Sequence, residues 1–204
     1  MRTGKTGWWR AGIVVLIGLA AFVVSAPPAT TQSSAPPQYD SDGNLLRPVG
    51  FETWVFVGSN RGLAYQGEGK PKNPEFHNVY ISPQAYAEFV KTQTFPDLTV
   101  FVVDRLTSKD REAKGVVTAG SYNDERIGLL VSVKNLHRPD KRTKPWAYYL
   151  FSTKPPDSAK AQLDSTDFEK ESDKEKTCEG CHAVHASTDH VWVQFYPILR
   201  NLLH

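Results

Sequence analysis

The chain has 204 residues, 40% hydrophobic and 11% aromatic, with a formal net charge of +2. That is room for one ordinary domain with a packed core plus a targeting segment, and the balanced charge gives no reason to expect nucleic acid as a partner. Met1 is the only methionine.

Residues 1–10 carry Arg2, Lys5 and Arg10 and no acid, and residues 11–24 carry no charge at all. A basic stretch followed by an apolar one is the layout of an export signal, here with Val24-Ser25-Ala26 as the cleavage position. Pro27 follows directly and should hinder a peptidase, so an uncleaved membrane anchor is the alternative for residues 1–26. Either outcome places the domain in the periplasm, soluble or tethered to the inner membrane, and touching the membrane only through this segment. Residues 27–43, rich in Pro, Ser and Thr, read as a flexible tether, so the folded domain is expected over 44–204.

FETWVFVG (51–58) is apolar enough to be buried, as a helix end or a strand. The Gly-, Pro- and Asn-rich run up to Phe76 reads as a long loop, and HNVYI (77–81) as a short strand. Ser82-Pro83 predicts a helix start, with Tyr86, Phe89 and Val90 as its buried stripe. LTVFVVDRL (98–106) is a strand showing Thr99, Phe101, Val103 and Arg105 on one face and Val100, Val102, Asp104 and Leu106 on the other. Three further strand-like runs, 115–122, 126–134 and 145–153, are separated by short polar turns, which predicts an antiparallel sheet. Residues 155–176 are polar and charge-dense, a surface excursion, and the apolar run from Val191 closes the chain as a helix or strand. The fold class expected is therefore α+β, an antiparallel β-sheet with a few packed helices.

The only two cysteines lie in CEGCHAVHASTDH (178–190), with three of the six histidines. A disulfide between them would close a very small loop and add little stability. A thioredoxin-like centre would need the motif after the first strand of a βαβ unit, which is not its setting here. Zinc could use Cys178 and Cys181 with two of His182, His185 and His190, but the spacing is not that of a usual finger. C-x-x-C-H is also the attachment pattern for haem c. Two thiols three positions apart on a helical turn can each bond one vinyl group, and the next histidine then lies beneath the iron. An export segment and the lack of other cysteines favour this last reading. Without an internal methionine, and with a β-rich pattern, the small all-helical cytochrome c design is disfavoured.

FETWVFVGS, EFHNVYISPQAYAEFVKTQTFPDLTVFV, IGLLVSVKN, PWAYYLF and CEGCHAVHASTDHVWVQFYPILR follow one another in an order that resembles the cytochrome P-460 family, including the related cytochromes c′-beta. The similarity runs from Gly43 to Arg200. It implies a homodimeric, β-rich, periplasmic protein with one covalently attached haem c near the C-terminus. Cys178 and Cys181 would form the thioethers, and His182 would be the axial iron ligand, leaving the opposite haem face open. Hydroxylamine-oxidising members carry a lysine bonded to the haem ring, and ungapped alignment puts Val103 in its place. Valine cannot form that bond. With Phe101 on the same face, the resemblance implies an apolar distal wall and binding of nitric oxide or a similar small ligand.

Two alternatives stay open: a hydroxylamine- or nitric-oxide-oxidising enzyme, and a periplasmic electron-transfer cytochrome. His77, where an oxidase-like relative carries arginine, is the candidate distal acid/base. Its plainer role is to end a strand, while Phe101 and Val103 could be ordinary sheet core and Arg105 a solvated surface residue. A redox partner protein could dock on the basic run 134–145.

Overall fold

A computed structural model of the chain describes residues 37–63, 70–112, 115, 119–138, 144–163 and 167–203, together with Met1 and Gly4. Apart from those last two positions, the expected leader or anchor (1–26) lies outside the described residues, as does the tether up to residue 36. Among the described residues no helix is long and apolar enough to cross a membrane.

In chain order the elements are β1 (Leu45–Leu46), a 3-10 turn (Phe51–Thr53), β2 (Val55–Arg61), β3 (Glu75–Ile81), α1 (Pro83–Thr92), β4 (Val100–Arg111), β5 (Gly120–Lys134), β6 (Trp146–Ser152), β7 (Ser158–Ala159), α2 (Glu171–Lys174), α3 (Cys178–His185), a second 3-10 turn (Val193–Phe195) and α4 (Pro197–Arg200). Strands β2 to β6 form one sheet in sequence order, each antiparallel to the next, while β1 pairs with β7. The fold is α+β.

Alternation along the strands divides the core in two. One cluster holds Ile81, Phe89, Phe95, Phe101, Trp146, Tyr148, Val193, Tyr196 and Leu199 on the face covered by α1 and the C-terminal segment. The other, with Val100, Val102, Val131, Ala147 and Tyr149, lies against Leu45 and Phe51. Tyr39, inside the expected tether, bridges to Leu45 and packs against this second cluster. Folded structure therefore begins ahead of Asn44.

Some elements differ from expectation. The runs 115–122 and 126–134 do not form two strands: β5 is continuous from Gly120 to Lys134 and pairs with a β4 that reaches Arg111. Register irregularities between Arg105 and Ser108 absorb the mismatch, so the polar residues 123–126 are the exposed end of a strand rather than a turn. On α1 the buried positions are Ala85 and Phe89, whereas Val90 is 45% exposed. The stripe is rotated because the Phe89 ring stacks on Phe95 (4.4 Å between centroids). Ser82 holds the N-cap position with Pro83 behind it, as expected, yet its hydroxyl accepts from the Val100 amide (3.4 Å) and so ties the helix to β4.

Candidate functional site

The register fixes three rows across one sheet face, because directly opposed residues of antiparallel strands share a face. Val55, Ile81, Phe101, Ser132 and Tyr148 form the first. Val79, Val103, Leu130 and Leu150 form the second, and Asn60, His77, Arg105, Gly128 and Ser152 the third. Phe101 is 3% exposed, enclosed by Phe95, Trp146 and Tyr196. In the second row Val103 and Leu130 are half-buried and Leu150 is 48% exposed. Hydrocarbon is thus left uncovered in the middle of the face.

Helix α3 packs against β6 on this face. Thr177 caps it, its hydroxyl accepting from the Gly180 amide (2.9 Å) and donating to the Lys174 carbonyl (2.7 Å). A Cβ on Gly180 would run into that same carbonyl, so only glycine fits at the second variable position of C-x-x-C. At the first, Glu179 is wholly buried, with Lys144 Nζ at 3.6 Å and His190 Nδ1 at 3.8 Å.

Cys178 and Cys181 are both free thiols, and Cys178 packs against the first core cluster. Burial pushes both thiols up, helped by Cys181 at Cys178 and by Glu175 at Cys181. Activated redox cysteines show the opposite displacement.

His182 follows directly. Its ring sits beside Tyr148 (4.6 Å between centroids) and Trp192 (5.3 Å). Nδ1 lies 2.7 Å from the His190 carbonyl oxygen, which can only accept, so Nδ1 carries the proton and Nε2 the lone pair. That lone pair receives the Trp192 indole N–H at 3.0 Å. Burial holds the imidazole below its ordinary value and neutral, the form that binds metal.

These residues fit a covalently held haem. The donor set is two thiols on one helical turn and one imidazole with its outer nitrogen fixed. The uncovered Val103–Leu130–Leu150 row is apolar surface of the kind a porphyrin covers. The Tyr148 hydroxyl is buried without a hydrogen-bond partner, with its ring beside that of His182. A metal at Nε2 would displace the Trp192 N–H, and the indole is only half-buried. Among the described residues no three His, Cys, Asp or Glu side chains are placed to hold a metal ion. His185 is exposed.

His77 lies in the third row, toward β2. Its Nε2 is 3.3 Å from Glu75 Oε2, and Arg105 clasps the same carboxylate through Nε (2.8 Å) and Nη2 (2.9 Å). Burial lowers the His77 pKa, Glu75 opposes this, and Arg105 adds to it. β3 is three strand spacings from β6, roughly 14 Å, so His77 sits well across the face from α3. Arg105 is an ion-paired member of this group rather than a merely solvated side chain. Sequence reasoning missed Glu75, although its i, i+2 spacing to His77 on a strand was a usable signal. Tyr148 and Trp192 left no comparable mark.

No curated protein matches the chain. The family model described as Cytochrome P460 matches residues 48–193, a span that takes in the five-stranded sheet and α3. A match over more than half the chain, ending just past the helix that carries C-x-x-C-H, makes this protein a member of the cytochrome P460 family, which implies that it binds haem c.

Proposed function

We propose that the protein is an exported mono-haem c-type cytochrome whose open distal site takes nitric oxide or a similar small neutral ligand. Cys178 and Cys181 would hold the porphyrin edge through thioethers, and His182 Nε2 would ligate the iron. When bound, the haem supplies a coordination position for a small ligand and a one-electron couple. The observation that carries the reading is the uncovered row Val103–Leu130–Leu150, with the Phe101 ring buried alongside. Hydrocarbon offers no hydrogen bond to a bound polar or charged group, so it favours neutral diatomics. With valine at position 103 the haem-bonding lysine is missing, so the ring should be unmodified there.

The same reading makes the protein periplasmic and homodimeric, either freed or held at the inner membrane by residues 1–26. A redox partner would meet the basic run 134–145. Purified haem-loaded protein titrated with nitric oxide should bind one equivalent per haem when ferrous. A low-spin, six-coordinate ferrous iron that refuses the ligand would overturn the proposal.

One observation favours oxidative turnover of hydroxylamine or nitric oxide as a second reading. The Glu75–His77–Arg105 group borders the apolar row, and a neutral His77 backed by a carboxylate can accept a proton. Steady-state oxidation with an artificial electron acceptor separates the two, because His77→Gln should abolish turnover and leave gas binding intact.

A further inference from the structure

Residues 188–191 form a tight two-residue turn, with Thr188 and Val191 bridged and the Val191 amide donating to the Thr188 carbonyl at 2.8 Å. Both central residues are left-handed, Asp189 at φ 44° and His190 at φ 62°. Such turns ordinarily carry Asn-Gly, because a side chain at φ above zero is strained. Asp and His tolerate this region better than most residues, but neither central residue is glycine, so contacts outside the turn help to hold it.

The Asp189 carboxylate provides that hold. Oδ2 accepts from Lys134 Nζ at 2.8 Å and Oδ1 from the Trp146 indole N–H at 3.2 Å. Lys134 and Trp146 are cross-strand partners at the ends of β5 and β6. Trp146 is 1% exposed, and Lys134 Nζ is fixed a second time by the Phe95 carbonyl at 2.7 Å. The turn is thereby pinned to the end of the sheet, and it presents the His190 carbonyl 2.7 Å from His182 Nδ1.

We infer that Asp189 is a positioning residue for the axial imidazole. By anchoring the strained turn it holds the His190 carbonyl on His182 Nδ1, which fixes Nε2 as the ligating nitrogen and makes the imidazole a stronger electron donor. This rests on the proposed ligation by His182. A stronger donor favours ferric iron, so losing the anchor should raise the reduction potential.

The test uses the full chain purified with haem attached, read by reduction potential and by the ferrous iron–histidine stretching band. Asp189→Ala should raise the ferrous-to-ferric ratio at fixed poise about tenfold, which is about 59 mV for one electron, and lower the stretching frequency. Lys134→Met removes the anchor from the other side, and it too should raise the potential. Charge alone predicts the reverse there, because deleting a cation favours ferric iron. Opposite shifts in the two variants would overturn the inference. Asp189→Asn/His190→Gly lacks the same charge but favours the turn intrinsically, so it should restore the wild-type band; a band equal to that of Asp189→Ala overturns the inference as well. A wild-type band that survives His182→Ala would sink the ligand assignment itself.

Discussion

Phe101 and Val103 point from the same face of β4, yet truncating them should have opposite consequences. Phe101 is 3% exposed, edge-on to Phe95 at 5.4 Å, with Trp146 at 6.3 Å and Tyr196 at 6.2 Å. Replacing a ring so enclosed by alanine costs about 3–5 kcal/mol, of which the edge-on pair supplies about 1 kcal/mol beyond its buried area. Against a total stability of about 5–15 kcal/mol, that is a fall in Tm of about 10 °C for a domain of this size. Val103 is only half-buried. Losing its two methyl groups removes at most ~1.6 kcal/mol of transfer energy, and half-burial brings the cost below about 1 kcal/mol. Urea denaturation of haem-loaded protein, with nitric oxide association measured on the same samples, reads both quantities. Phe101→Ala should lower the midpoint strongly, while Val103→Ala should leave it nearly in place and change the association rate severalfold. A Phe101→Ala protein within about 1 kcal/mol of wild type, with altered gas binding, would refute the division of this face into a core row and a ligand row.

Three other outcomes follow from the geometry. Gly180→Ala drives a Cβ into the Lys174 carbonyl and breaks the Thr177 cap, so haem incorporation should drop sharply, as mass spectrometry of the expressed chain would record. Arg126→Ala leaves Asp104, whose side chain is 7% exposed, without the Nε and Nη2 bonds at 2.6 and 2.9 Å; the Arg126 side chain is 42% exposed, so the cost should be about 1–3 kcal/mol by thermal melting rather than that of a fully buried pair. His77 has its pKa depressed below 6.5 by burial, so the unfolded chain takes up a proton at a pH where the native one does not. Stability is therefore lost as pH falls below 6.5 toward the folded value, and His77→Gln should flatten the Tm–pH curve there while leaving it unchanged above. Parallel curves for the two proteins would contradict that assignment.

How much of this could be read beforehand depended on whether a signal was local. The C-x-x-C-H motif lies within one short stretch of chain, and Pro83 behind Ser82 marked the start of α1 because both act on their own backbone. The face shared by Phe101 and Val103 followed from strand alternation. What stayed hidden involves partners far apart in sequence. Val90 matched the helical period as well as Ala85 did, and only the position of Phe95 selects the buried side. The two halves of β5 looked separate because residues 123–126 are polar, and their pairing with β4 is a tertiary fact. His77 could be picked out, but its link to Arg105 needed the register of β3 on β4. Likewise, nothing near Asp189 announces that Lys134 and Trp146 will meet it.

The cap at Thr177, both thiols, the imidazole and the carbonyl that steadies it all fall between residues 177 and 190, whereas the surface facing them is assembled from four separate strands. In the proposed haem protein, anchorage and selectivity would thus be encoded in different parts of the gene. If the proposed ligation holds, substitutions on β3 to β6 would re-tune which molecule is admitted without loosening the prosthetic group.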